Sequence, residues 1–258
     1  KVQGVALDLL VDGYGLVPFV LSFIISYSVS FAAGIFFMGR NFLRPGLDFD
    51  LGFIRQILVK SFPFFLTTVF MGIYSRVDTL MLGFMTNFSV VGWYSAAFRI
   101  VESFNFIPYI FLGAVFPVMS RFYQTSDSQL RALYSRTAYY LAVLGLPMAV
   151  GITLTAARII NLIYPEEFSG AAVALQILIW AELFIFLNFL TGYLLNSINK
   201  ASRFTLSTAI TTLANVLLNF VLISRFSLTG AAIATLISQV LSLLLLNWFA
   251  VRNGYRLE

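Results

Sequence analysis

The sequence predicts an all-α polytopic membrane protein with about seven transmembrane helices, and three observations support this prediction. Hydrophobic residues make up 60% of the 258 positions and charged residues only 10%. Soluble domains average roughly 25% charged residues, so this chain lacks the polar surface that water would require. Apolar stretches near the length of about 20 residues that spans a bilayer recur along the chain. Finally, cations are concentrated in alternate connections between these stretches.

Seven apolar stretches account for most of the chain, and we expect each to form one membrane-spanning helix. Pro108 lies in the middle of the third stretch. Because proline cannot donate a backbone hydrogen bond to the preceding turn, it predicts a kink at that position. The uncharged stretches are 13–39, 138–157, 204–224 and 226–251, and the stretches with isolated charges are 61–84, 90–120 and 168–199.

The distribution of basic residues predicts the orientation of the chain. The odd-numbered connections and the C-terminal tail hold eleven Lys and Arg residues, whereas the even-numbered connections and Lys1 hold three. The positive-inside rule assigns the basic set to the cytoplasm. We therefore expect a multi-pass protein of the cell (cytoplasmic or inner) membrane with a cytoplasmic C-terminus.

The same pattern predicts the organisation of the chain. An odd number of spans that ends inside must start outside, and the chain begins with Lys1. We therefore expect the C-terminal portion of a longer protein. The predicted segments are an outer-side segment 1–15, a helix 16–39, a cytoplasmic linker 40–60, a six-helix bundle 61–251 and a cytoplasmic tail 252–258.

Composition also excludes several functions. Cysteine and histidine are both absent, which removes disulfides, thiol catalysis and the commonest metal ligands. We therefore predict no catalytic residue and no metal site. A net charge of +5 would suggest nucleic-acid binding in a soluble protein, but here the cations follow membrane topology, so we expect no nucleic-acid partner.

Five charged residues interrupt the apolar stretches: Arg76, Asp78, Arg99, Glu102 and Glu182. A charge at the bilayer centre costs at least ~2.5–3.5 kcal/mol, so such residues usually face a cavity or a partner. Arg76 and Asp78 are two positions apart and point to nearly opposite faces of a helix. Arg99 and Glu102 are three apart and can form an ion pair. If the two helices are neighbours, these four charges share one layer.

Two interpretations of this layer stay open. One is a neutralised salt-bridge network that fixes the helix pair. The other is a cationic patch in a water-filled cavity, where Arg76 and Arg99 bind the phosphate or carboxylate of a substrate bidentately. In that case Asp78 and Glu102 form the remaining charge network of the cavity.

Glu182 stands alone near the middle of the fifth stretch. A carboxyl group that gains and loses a proton at this depth is a candidate for ion coupling. The alternative is a neutral side chain hydrogen-bonded to Asn188 or to a hydroxyl of the next helix. Asn215 and Asn219, one turn apart, are expected to form hydrogen bonds between helices.

Four segments of the sequence carry a family resemblance: 77–83 (VDTLMLG), 91–100 (VGWYSAAFRI), 116–121 (FPVMSR) and 228–235 (LTGAAIAT). They resemble polysaccharide flippases of the MOP (multidrug/oligosaccharidyl-lipid/polysaccharide) superfamily. The first two resemble the family's seventh-to-eighth helix region, the third resembles the stretch before its next cytoplasmic loop, and the fourth resembles its last-helix signature. In order and spacing, the resemblance covers the chain from Tyr14 onward.

The resemblance implies a MATE/MOP-like transporter of two helix bundles, of which this chain holds the last helix of the first bundle and the six-helix C-terminal bundle. The family flips anionic polyprenyl-pyrophosphate-linked oligosaccharides across the cytoplasmic membrane for polysaccharide biosynthesis, by alternating access coupled to H⁺ or Na⁺ and without another cofactor. Arg99 matches the family's Ala-x-Arg position, and Asp78 matches its seventh-helix aspartate. Implied partners are the lipid bilayer, the rest of the first bundle and other polysaccharide-assembly membrane proteins.

Two alternatives to a flippase stay open. A multidrug or cation antiporter of the same superfamily would need carboxylates without arginines in its cavity, so Arg76 and Arg99 count against it. A polytopic glycan-processing enzyme would need catalytic carboxylates or histidines in a large loop. Because this chain has no histidine and no long loop, we expect a transporter and not an enzyme.

Overall fold

The computed structural model describes residues 16–41 and 50–256. The predicted outer-side segment 1–15, positions 42–49 of the predicted linker and the last two residues of the predicted tail lie outside the described residues. The regular secondary structure of the described part is helical, which confirms the all-α prediction. Its helices are α1 (Leu16–Asn41), α2 (Leu51–Met85), α3 (Phe88–Ser103), α4 (Phe106–Thr125), α5 (Asp127–Ile163), a 3₁₀ turn (Glu166–Phe168), α6 (Ala171–Ser197) and α7 (Ala201–Arg252).

The chain divides into two compact units between Ile57 and Leu58. In its described part, the first unit consists of α1 and the beginning of α2. The second unit contains the rest of α2 and all later helices. Helix α2 begins within the predicted linker, ten residues before the predicted span. The Asp50 carboxylate explains this early start, because it accepts hydrogen bonds from the backbone N–H groups of Gly52 (2.8 Å) and Phe53 (3.2 Å) and so caps the helix.

The third span is broken into α3 and α4 at Phe104 and Asn105. Pro108 lies one turn after Phe104. Because proline has no N–H, it cannot donate a hydrogen bond to the Phe104 carbonyl. That carbonyl instead accepts a hydrogen bond from the Ile107 N–H at 3.0 Å. The kink predicted from Pro108 is therefore confirmed, as a break between two helices.

Helix α7 is a folded hairpin. Its 52 residues would extend about 78 Å as a straight helix, far more than the ~30 Å thickness of a bilayer core. Ser227 interrupts it with φ 50° and ψ −127°, which divides it into arms 201–226 (α7a) and 228–252 (α7b). The two spans predicted at 204–224 and 226–251 are thus confirmed.

Contacts between the two arms show that they run antiparallel. Asn215 of α7a donates a hydrogen bond to Ser238 of α7b at 3.3 Å. Further from the turn, the Arg203 guanidinium lies 5.5 Å from the centroid of the Phe249 ring. The hairpin brings polar residues of the two arms to one level inside the bundle.

Helix α6 is the central helix of the second unit. It packs against α3, α4, α5 and α7 and contributes to both hydrophobic clusters of the unit, with Leu178 in one and Leu190 in the other. The outer faces of the surrounding helices carry exposed apolar side chains such as Leu154 and Leu162. Six helices of the described part are long and apolar enough to cross a membrane, with α3 and α4 together counted as one. Because α7 folds into two arms, this agrees with the seven predicted spans.

Candidate functional site

Asp78 of α2 is the centre of a buried polar cluster. Its side chain is only 4% exposed. The carboxylate accepts hydrogen bonds from the Tyr94 hydroxyl (2.6 Å), from Thr235 Oγ1 (2.6 Å) and from Asn219 Nδ2. In the part of the chain that the structure describes, no Lys or Arg forms an ion pair with this carboxylate.

Helix geometry places the four groups at one depth. Asp78 lies seven residues before the end of α2, and Tyr94 lies six residues after the start of α3. Asn219 and Thr235 each lie eight residues from Ser227 at the turn. At ~1.5 Å per residue, each is about 10 Å from the same end of the bundle.

Further polar side chains extend this cluster through hydrogen bonds. We call Asp78, Tyr94, Asn219 and Thr235, together with these further side chains, the Asp78 cluster. Asn219 Nδ2 also donates to Asn215 Oδ1 at 3.1 Å, and Asn215 donates to Ser238 Oγ at 3.3 Å. The Tyr74 hydroxyl lies 3.0 Å from Ser238 Oγ. The Oδ1 atom of Asn219 is buried and has no hydrogen-bond partner in residues 16–41 and 50–256.

The cluster can hold a proton or a small monovalent cation. An ionised carboxylate in an apolar environment without a countercharge is strongly unfavourable. A proton on Asp78 would remove that charge. A hard cation would instead balance it, and carboxylate, hydroxyl and amide oxygens are the ligands that such cations prefer. The unpartnered Oδ1 of Asn219 is one such oxygen.

A second polar feature is a cavity of about 180 Å³ inside the second unit, which we call the acidic cavity. Glu102 and Glu182 both line it, and no Lys or Arg does so among the described residues. Glu182 is 1% exposed, and its Oε1 atom has no hydrogen-bond partner within the described ranges. Glu102 is half-buried, which places it nearer the surface of the bundle.

The ion pair that the spacing of Arg99 and Glu102 allows is not observed in the described part of the chain. The single ion pair of that part joins Arg131 and Asp127 at 2.6 Å. Positions three apart differ by about 60° around a helix. That angle is enough to place Glu102 on the cavity wall while Arg99 stays exposed.

The remaining predictions for these residues have mixed outcomes. Asp78 and Arg76 point to different faces as predicted, one buried and the other exposed. The proposed contact between Glu182 and Asn188 is wrong, because Asn188 Nδ2 donates to Gln239 Oε1 at 2.7 Å. The roles of Arg76 and Arg99 in substrate binding stay predictions.

Sequence reasoning missed Tyr94 and Thr235 and did not connect Asn219 with Asp78. The expected hydrogen bonds of Asn215 and Asn219 between helices are confirmed, with Ser238 and Asp78 as acceptors. One signal was available in the sequence. Each missed residue is polar and lies about as far from the end of its helix as Asp78 lies from the end of α2.

Comparison with known proteins places this architecture in a family. A family model described as "Polysaccharide biosynthesis protein" matches residues 3–173. The probable flippase AglR of Haloferax volcanii is 32% identical over 176 residues, which cover 67% of this chain and 37% of AglR. The chain thus spans little more than a third of the length of this curated relative.

Solved structures show the same fold. The lipid II flippase MurJ, in an inward closed conformation, matches 96% of this chain with a TM-score of 0.71 at 18% identity, over 53% of its own length. An outward-facing multidrug resistance MATE transporter of the MOP superfamily matches 77% of this chain with a TM-score of 0.65 at 18% identity, over 45% of its length. These likenesses confirm the predicted MATE/MOP-like helix architecture. Because the family model covers well over half of the sequence, the chain belongs to the polysaccharide biosynthesis protein family.

Proposed function

We propose that this chain is the C-terminal part of a flippase that moves lipid-linked oligosaccharide across the cytoplasmic membrane. In this proposal, movement is coupled to a flow of H⁺ or Na⁺ through Asp78. The observation that carries the coupling is the buried Asp78 carboxylate, which has three hydrogen-bond donors and no cationic partner in the described part. Membership of the polysaccharide biosynthesis protein family supports the class of substrate.

The two intramembrane arginines support an anionic substrate. Arg76 lies nine residues from the end of α2, and Arg99 lies eleven residues from the start of α3. Both side chains are therefore roughly 14–17 Å along their helices, yet both are exposed on this chain. A guanidinium in contact with lipid at that depth costs at least ~2.5–3.5 kcal/mol. We infer that these faces line a water-filled cavity and that a second helix bundle completes it.

The need for a second bundle agrees with the coverage of related proteins. The chain spans 37% of AglR and 53% of MurJ, so a transporter of that length has a further set of helices. A guanidinium binds phosphate oxygens bidentately and stays charged at every physiological pH. Arg76 and Arg99 would thus hold the pyrophosphate or an acidic sugar, while the bundles rock to alternate access.

A cell assay tests the proposal. In cells that lack the gene for the whole transporter, we expect lipid-linked oligosaccharide to accumulate on the cytoplasmic face. The wild-type gene should restore export, whereas Arg99→Gln and Asp78→Asn should each reduce it at an unchanged protein level. Arg158→Gln, which changes an exposed arginine of the predicted outer side, is the matched control. Full export by Arg99→Gln would remove Arg99 from the substrate path.

The acidic cavity favours a second candidate function, cation antiport. It is lined by Glu102 and Glu182 and by no cation within the described residues, which is the pattern expected of a site for cationic substrates. The same cells distinguish the two functions. Hypersensitivity to cationic dyes without accumulation of lipid-linked oligosaccharide would replace the flippase proposal with the antiporter.

A further inference from the structure

We propose that the acidic cavity is the access route by which a small monovalent cation moves between the surface of the bundle and Asp78. This inference rests on the proposed coupling at Asp78 and adds the path of the cation. Glu102 and Glu182 are the residues assigned to that path.

The cavity and the Asp78 cluster share a wall. Thr235 lines the cavity, and its Oγ1 atom donates to the Asp78 carboxylate at 2.6 Å. One threonine side chain therefore separates the cavity from the carboxylate. The Thr235 hydroxyl can instead donate to the Ala231 carbonyl at 3.1 Å. In that orientation an oxygen lone pair of Thr235 faces Asp78.

A second connection runs through hydrogen-bonded side chains. Tyr74 also lines the cavity, and its hydroxyl lies 3.0 Å from Ser238 Oγ. From Ser238 the chain of contacts passes through Asn215 and Asn219 to Asp78. The cavity is thus joined to Asp78 by one direct contact and by one polar relay.

The charges of the cavity suit a cation. Glu182 lines the cavity and is 1% exposed, and its Oε1 atom has no hydrogen-bond partner among the described residues. Asn188 lines the cavity too, and its buried Oδ1 atom likewise lacks a partner in the described part of the chain. Two carboxyl groups and no Lys or Arg of the described part line the cavity, so any charge that these groups carry attracts cations and repels anions.

The positions of the two glutamates define a direction. Glu102 is half-buried, as are Phe98 and Asn105 beside it on the cavity wall, whereas Glu182 is buried. A cation would therefore meet Glu102 first, then Glu182, and then the wall formed by Thr235. A cavity of about 180 Å³ holds several waters, since each occupies about 30 Å³ in the liquid, so the cation can arrive hydrated.

The test measures the rate of cation binding separately from its amount. The whole transporter is reconstituted in proteoliposomes on a solid-supported membrane, and charge displacement is recorded after a Na⁺ jump at constant pH and after a pH jump at constant Na⁺. Charged clefts raise association rates by 10–10³-fold. We therefore expect the Glu102→Gln/Glu182→Gln variant to relax at least 10-fold more slowly than wild type, with the same total displaced charge. Asp78→Asn should displace no charge.

Control variants make each outcome decisive. Glu166→Gln/Glu167→Gln removes two exposed carboxylates outside the cavity and should keep the wild-type rate. A wild-type rate in the Glu102→Gln/Glu182→Gln variant would overturn the access route while leaving coupling at Asp78 intact. Loss of all displaced charge in that folded variant would also overturn it, because the glutamates would then be the binding site. If the wild-type protein displaces no charge in either jump, coupling at Asp78 itself fails.

Discussion

The hairpin of α7 depends on a glycine, and replacing that glycine is a sharp test of the fold around Asp78. A Cβ atom at Gly230 would lie 2.1 Å from the carbonyl oxygen of Leu222, 2.5 Å from its carbonyl carbon and 2.9 Å from the backbone nitrogen of Ile223. Optimal contacts between carbon atoms are about 3.5–4.0 Å. All three neighbours are backbone atoms, so no side-chain rotation can relieve the overlap.

The magnitude follows from this geometry. Overpacking among side chains typically costs about 1–3 kcal/mol, and a clash against backbone should exceed the upper value. Gly151→Ala is the matched control, because nothing lies within 4 Å of a Cβ atom at that helical position. Alanine there should stabilise the helix by about 0.5–1 kcal/mol. We therefore expect the two variants to differ by more than about 3.5 kcal/mol in stability, with Gly230→Ala the weaker.

The assay is the thermal unfolding midpoint of the purified whole transporter, together with its yield as a monodisperse species. One kcal/mol corresponds to about 2–4 °C for domains of 150–250 residues and to about half of that for a transporter twice as long, so we expect Gly230→Ala to unfold at least about 3 °C below Gly151→Ala. Asn219 and Thr235 lie on opposite arms of this hairpin, so cation binding at Asp78 should also be lost. Equal midpoints for the two variants would refute the tight turn described for α7.

Two further predictions concern polar contacts outside the Asp78 cluster. Tyr255→Phe removes the hydrogen bond to Asp127 (2.7 Å) that joins the C-terminal segment to α5, and should lower stability by about 1 kcal/mol. Burial and the nearby Asp127 carboxylate raise the pKa of Tyr255 above its usual range, so its hydroxyl stays a donor at neutral pH. The control is Tyr139→Phe, which changes an exposed tyrosine. Equal unfolding midpoints for Tyr255→Phe and Tyr139→Phe would contradict a stabilising role for the Tyr255–Asp127 hydrogen bond. Asn188→Leu leaves Gln239 without its partner and should cost roughly 0.5–2 kcal/mol. Adding Gln239→Leu should recover part of that loss, and strictly additive losses in the double variant would show that the two amides do not interact.

The sequence was sufficient for those features that follow from local pattern. Uninterrupted apolar runs predicted the spans, and Pro108 predicted the break between α3 and α4. A spacing of two residues predicted that Asp78 and Arg76 face different directions, and the structure confirms it. Each of these inferences needs only the geometry of one helix.

The features that were missed depend on how helices rotate against one another. Whether Glu102 faces Arg99 or the acidic cavity is decided by the packing of α3 against α6 and α7, and no local pattern encodes that rotation. Thr235 becomes a partner of Asp78 because the α7 hairpin returns to α2 at a sequence separation of 157 residues. The early start of α2 has a local signal, the capping carboxylate of Asp50, but this signal is not part of the apolar pattern that predicts the spans.

The central claim is that Asp78 binds the ion that drives transport. The most direct test is flipping of lipid-linked oligosaccharide by the whole transporter in proteoliposomes, with and without an imposed H⁺ or Na⁺ gradient. We expect one of the two gradients to accelerate flipping by the wild-type protein and to have no effect on Asp78→Asn. Equal acceleration of both proteins by the same gradient would show that the coupling ion binds elsewhere.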